Sequence, residues 1–200
     1  MRARDLQGYE QTSVLDFAHN RRHLAAAYLL RLAGLAGFTL GFARITRLLR
    51  PEVPTSLDTY LGVALPGLPA ALSIILTVAV VALVLLLHEL IHAGVFYLAR
   101  GAPPRLGWRG LTIFAAAPEH PVGRSLMVVN ALAPFAIISL LGLLLLSVVP
   151  ASALAWVFIP TVANAAAAGG DFMTLAWLFR LPANVVVLDT GDVMSAWQAV

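Results

Sequence analysis

The chain has 200 residues, of which 60% are hydrophobic and only 12% charged, with a mean hydropathy of +0.87. Soluble domains carry about 45–50% apolar and about 25% charged residues, so this balance excludes a water-soluble globule and indicates an integral membrane protein of one domain. The net charge is +3 and every one of the 13 basic residues is arginine, with no basic run longer than Arg21-Arg22. These arginines read as membrane flanks rather than as a nucleic-acid surface, and no nucleic-acid partner is expected. Zero cysteines exclude a disulfide framework, an iron–sulfur cluster and any thiolate metal site. A metal here must be held by histidine and carboxylate.

Residues 1–23 are polar and mixed in charge, with neither the apolar core nor the small-residue cleavage site of a secretory signal. The expectation is a retained cytoplasmic extension with room for an interfacial helix. Four later stretches reach the roughly 20 mainly apolar residues that span a bilayer. They are Leu24–Ala43, interrupted by Arg31; Pro69–Ala99, which meets His88, Glu89 and His92; Ser125–Val149; and Ser152–Phe179. The last two form a hairpin around Pro150, where the missing N–H is tolerated. The expected domains are the extension 1–23, a four-span membrane domain 24–180 with its core from about 66, and a cytoplasmic C-terminal tail 181–200. With the N-terminus inside, nine arginines fall on the cytoplasmic side and only Arg44, Arg47 and Arg50 outside. Both termini are therefore expected in the cytoplasm of a multi-pass cell-membrane protein. Between the second and third spans, Leu106-Gly107-Trp108 and Leu111-Thr112-Ile113-Phe114 flank Arg109-Gly110, the pattern of two short strands and a turn. The fold class expected is thus all-α, four transmembrane helices with one small cytoplasmic β-hairpin.

The residues that carry chemistry lie deep in these spans. His88-Glu89-Leu90-Ile91-His92 is an HExxH sequence. Its i, i+4 spacing puts two imidazoles one turn apart on one helix face, where they can share a Zn²⁺. Glu89 lies beside them, placed to act as general base toward the water that such a metal activates. A chance match is the bland reading. An acid near the centre of a membrane helix costs about 2.5–3.5 kcal/mol, however, and such groups are rarely idle. A catalytic zinc needs a third protein ligand, and Asp171 is the only acid in the last two spans. His92 lies about 12 Å from Arg100 along a helix and Asp171 about 13.5 Å from Arg180, so the two sit at nearly one depth. The competing reading of Asp171 is a capped or water-exposed acid in a helix broken at Gly169-Gly170. Asn164 is two turns from Asp171 on the same face, and Asn130 is about 9 Å inside Arg124. Either amide can bind a substrate backbone or an oxyanion, or equally hold helices together.

These pieces resemble the site-2 protease class of intramembrane zinc metalloproteases, and in particular a compact zincin peptidase family of prokaryotic membrane proteins. The resemblance rests on HELIHA at 88–93, ALAPF at 131–135, NAAAAGGD at 164–171 and VVVLDTGD at 185–192. It covers the chain from about residue 66 onward. It implies His88, His92 and Asp171 as zinc ligands and Glu89 as catalytic acid/base. Better-known members carry LDG at the third ligand, whereas this chain has Gly-Gly-Asp171 followed by Phe172; that departure favours the smaller family and leaves the substrate open.

Several lookalikes fall away. Asp189-Thr190-Gly191 mimics an aspartic-protease motif, but there is no second copy and no β-rich domain, and Asp189 and Asp192 are expected in a solvated turn. An intramembrane aspartyl dyad needs a second deep acid, and Glu89 is framed by histidines. His19 and His23 enclose two arginines, which oppose cation binding, so an interfacial role is expected. His120 sits in a proline-flanked surface turn, and Arg31 is placed to snorkel. The expected activity is zinc-dependent hydrolysis of peptide bonds in a membrane protein or peptide near the cytoplasmic face. The rival is a non-proteolytic adaptor or regulator with a structural zinc, which would have no need of Glu89.

Overall fold

The computed structural model describes residues 6–64, 67–101, 105–109, 112–116 and 120–200. The chain begins with strand β1 (Tyr9–Asp16) and helix α1 (Arg21–Leu49), followed by the short α2 (Leu57–Leu61) and the long α3 (Ala70–Arg100). Strands β2 (Arg105–Arg109) and β3 (Thr112–Ala116) pair antiparallel, Gly107 opposite Phe114. The turn expected at Gly110 lies outside the described residues. Then come β4 (Val122–Gly123), α4 (Arg124–Leu146), a 3₁₀ turn at Ala151–Ala153, α5 (Leu154–Ala167), α6 (Gly169–Leu178), β5 (Val186–Asp189) and β6 (Val193–Ala199).

Four stretches, Arg21–Leu49, Ala70–Ala99, Arg124–Leu146 and Ala151–Leu178, are long and apolar enough to cross a membrane. Their exposed side chains are those a bilayer would cover: Leu32 in α1, Leu83 in α3 and Leu140 in α4 all face outward. A helix satisfies its own backbone hydrogen bonds, so such a surface is stable in hydrocarbon and a liability in water. The chain is compatible with a multi-pass membrane protein. The expected fourth span is not one helix: α5 ends at Ala168, whose N–H bonds Asn164 O at 3.2 Å, and α6 restarts at Gly169.

All-α is corrected by a four-stranded antiparallel sheet in the order β1-β6-β5-β4. It recruits the segments read as extension and tail, with Val14 opposite Ser195 and Leu188 opposite Ser195 on either side of β6. The described part of the leader is therefore a strand where an interfacial helix was allowed for. Asp16 ends β1, its Oδ1 accepting from the Ala18 and His19 N–H groups at 2.8 Å, and Asn20 Oδ1 caps α1 through Arg22 N–H at 3.0 Å.

The chain divides into two compact units. The first comprises the segment up to Leu30, Glu89–Pro134 and Gly169–Val200. Here the sheet packs on helices through buried Phe96, Val122, Met127, Leu178, Val187 and Ala196. Trp177 donates its indole N–H to Ser13 Oγ at 2.8 Å, tying α6 to β1, and Arg124 donates to Leu178 O at 2.8 Å. The second unit comprises Arg31–His88 and Phe135–Ala168, cored by Phe42, Tyr60, Leu146, Leu154 and Phe158. Tyr60 meets Phe158 edge-on at 4.9 Å. Arg50 donates to the carbonyls of Leu146 and Val149, satisfying groups that the end of α4 leaves open.

Within that second unit α4 and α5 meet at Gly142, where an added Cβ would fall on the Thr161 side chain. Gly142→Ala should cost about 1–3 kcal/mol of stability, as overpacking does. In a Thr161→Ala background, which removes the two nearest of the three obstructing atoms and keeps only Cβ, the same change should cost less. Unfolding of the detergent-solubilised variants measures this; an equal cost in both backgrounds would refute the contact.

Candidate metal centre

Helix α3 runs unbroken through His88 and His92, so helical geometry alone stacks the two imidazoles. Both are buried, at 5% and 8% exposure, while Glu89 is half-buried on the same turn. Asp171 stands in the first turn of α6, where the positive end of the helix dipole favours a carboxylate. The break at Ala168 is what makes that turn a helix N-terminus. Asp171 Oδ1 lies 3.5 Å from His92 Nε2, so the depth match read from the arginines does bring these two together. The ligand atoms of His88, His92 and Asp171 all lie within 4.8 Å of one another.

The hydrogen bonds behind the imidazoles decide whether a metal fits. His88 Nδ1 is 2.9 Å from Asn164 Oδ1, and His92 Nδ1 is 3.0 Å from the Asn130 backbone carbonyl. An oxygen acceptor at each Nδ1 fixes the proton there and leaves both Nε2 atoms as lone-pair donors, the arrangement found behind metal-ligating histidines. Two neutral imidazoles and one carboxylate form a donor set suited to zinc. The residues present fit that ion.

The two asparagines are thus buried at the site. Asn164 holds His88 with its side chain, and Asn130 holds His92 with its backbone. Two amide atoms remain without partners, Asn164 Nδ2 and Asn130 Oδ1. The other histidines do not join them. His19 Nδ1 lies 3.2 Å from the Asp16 carboxylate, and His23 Nδ1 lies 3.1 Å from Asp16 O. His120 is half-buried just before β4.

Asp189 differs from the sequence expectation. Asp189 is 5% exposed at the end of β5, not in a solvated turn. Burial pushes its carboxyl up to about 7; the Gly191 N–H and His92 oppose the rise, while the charges of Asp171 and Glu89 add to it. The signal was in the sequence: read as a strand, Val185, Val187 and Asp189 share one face, and all three are buried. The Asp-Thr-Gly run is the hairpin turn after it. Gly191 has φ +101°, and Thr190 N–H bonds Val193 O at 3.0 Å.

His88→Ala, His92→Ala and Asp171→Ala should each lose most of about one zinc per chain, the stoichiometry of a single three-ligand set. Asn164→Ala, which removes only the His88 acceptor, should weaken zinc by about 10–100-fold, and Asn164→Asp should restore it. Metal titration of purified protein measures both; unchanged affinity in Asn164→Ala would remove Asn164 from the support of the site.

No curated protein and no solved structure matches the chain. Residues 81–186, which carry His88, Glu89, His92, Asn130, Asn164 and Asp171, match the family described as "Putative zincin peptidase", and the chain belongs to that family.

Proposed function

We propose that this protein is an intramembrane zinc metallopeptidase of the site-2 protease type, hydrolysing peptide bonds of membrane-associated substrates near the cytoplasmic face. The observation that carries this is Glu89. Between two imidazoles held by their Nδ1 atoms, with Asp171 supplying the third ligand, a structural site would need no further acid. Membership of a zincin peptidase family supports the same chemistry.

His88, His92 and Asp171 would hold the ion. Zinc, when bound, supplies a Lewis acid that polarises the scissile carbonyl and acidifies a water. Glu89 accepts the proton of the attacking water and returns it to the leaving amine nitrogen. The unpartnered Asn164 Nδ2 is a donor for the developing oxyanion, and Asn130 offers its amide to the substrate backbone. A helical substrate must unwind before its amides can be reached, and an edge of the β2–β3 pair would serve to hold it extended. The bilayer and a membrane protein or peptide are the partners this reading requires.

Glu89→Gln keeps the size and hydrogen bonding of the side chain but removes the proton acceptor. Zinc should stay bound while cleavage of a detergent-solubilised helical substrate falls at least about 10²–10⁴-fold. Full activity in Glu89→Gln, or equal complementation by it of a deletion phenotype, would hand the function to the structural-zinc adaptor.

The nine-to-three arginine distribution sets the orientation. Reporter fusions after Gln198 and within 101–124 should report cytoplasm, and one within 51–60 the outside. An external signal from the 101–124 fusion would move the site to the other face.

A further inference from the structure

At the β1–α1 turn an open cleft of about 560 Å³ is lined by Asp16, His19, Asn20, Arg21 and Arg22, and it shares no residue with the metal centre. That volume falls within the range of small-molecule sites, about 300–1,000 Å³. Charges of both signs line it. Asp16 Oδ1 accepts from the Ala18 and His19 N–H groups, while Oδ2 lies 3.2 Å from the His19 ring and the side chain keeps 24% exposure. The His19 N–H first, against desolvation, then the Ala18 N–H and the His19 ring hold this carboxyl below its ordinary range, so it is an anion at neutral pH. Arg21 and Arg22 are exposed, and among the described residues neither guanidinium has a hydrogen-bond or ion-pair partner. An acid and two arginines thus share one cleft, and no ion pair joins them. The helix end itself is not the attraction, because Asn20 Oδ1 already accepts from the Arg22 and His23 N–H groups.

Helix α1 continues each arginine as an apolar stripe. Leu24 and Tyr28 follow Arg21 at i+3 and i+7, and Leu29 follows Arg22 at i+7, spacings that return to one helix face. These side chains are 40%, 54% and 66% exposed. We propose that the cleft binds the headgroup of an aminophospholipid, its phosphate on Arg21 and Arg22 and its primary ammonium on Asp16, with the acyl chains along Leu24, Tyr28 and Leu29. A phosphate matches the planar fork of a guanidinium. A primary ammonium brings N–H donors to Asp16 Oδ2, whereas a trimethylated ammonium brings none. A glycerol headgroup brings no positive charge and leaves Asp16 facing a phosphate. This goes beyond the peptidase reading and needs only that α1 lies in a bilayer.

The test titrates full-length protein, extracted from membranes in detergent, with phosphatidylethanolamine, phosphatidylcholine and phosphatidylglycerol of identical acyl chains, and reads bound lipid by native mass spectrometry. Wild type should bind phosphatidylethanolamine at least about tenfold more tightly than either of the others, the margin of a charge-assisted hydrogen bond. Asp16→Asn keeps an acceptor for the Ala18 and His19 N–H groups and removes only the charge, and it should abolish that lead. Changing Arg21 and Arg22 together to glutamine should weaken all three lipids at least about tenfold, while Arg180→Gln, at an exposed arginine outside the cleft, should change nothing. Soluble phosphoethanolamine, which lacks the chains, should not displace the lipid at equal concentration. No lead for phosphatidylethanolamine in wild type, a lead that survives Asp16→Asn, an equal loss in Arg180→Gln, or displacement by phosphoethanolamine each overturns the proposal and leaves the peptidase reading standing. A chain that is found in the soluble fraction without detergent overturns the membrane reading and the proposal together. If the variants fail to fold, the wild-type order and the phosphoethanolamine competition still decide.

Discussion

Two hydrogen bonds at imidazole Nδ1 atoms govern the rest of the site. Without an oxygen acceptor behind it, a histidine in an apolar helix is free to present either ring nitrogen, and the pair on α3 would have no common focus. Asn164 Oδ1 and the Asn130 carbonyl remove that freedom and aim both Nε2 atoms the same way. They also explain why asparagines are kept inside hydrophobic segments. The side chain of Asn164 is fully buried, a cost that is recovered only if its amide is used. Half of it is used on His88, and the Nδ2 left over has no hydrogen-bond partner.

The helices were legible because crossing a bilayer demands a length and a composition that few other settings demand, and these helices meet both. Mainly apolar runs located all four long helices, the first despite Arg31, and arginine spacing gave the depth that links His92 to Asp171. The break in the last span was legible only as Gly169-Gly170. What the break does became clear when α6 was seen to restart there, placing Asp171 in a first turn. A continuous helix would have left the acid mid-span, with no free N–H groups nearby to stabilise it.

The sheet was illegible for an equally physical reason. Strand β1 reads Tyr-Glu-Gln-Thr-Ser-Val-Leu-Asp, with a register shift between Gln11 and Ser13, so period-2 alternation is spoiled where it would be diagnostic. Its partner β6 lies some 180 residues away, a separation no local pattern encodes. Calling 181–200 a tail had a consequence beyond topology: it moved Asp189 to the surface. Once β5 is a strand, Asp189 follows Val185 and Val187 into the interior, and an apparent protease lookalike becomes a buried carboxyl.

That burial connects the sheet to the chemistry. Inserting Glu89 and Asp171 among apolar helices costs about 5–7 kcal/mol, while structural zinc can contribute about 10–16 kcal/mol in favourable cases. Ion binding can therefore offset two buried acids with a margin. The sheet adds a third buried acid, Asp189, on the hairpin whose Met194 sulfur lies 3.7 Å from Thr174 Oγ1 of α6. Burial favours the neutral form of that carboxyl, so the sheet holds it inside at less cost than a fixed charge would carry.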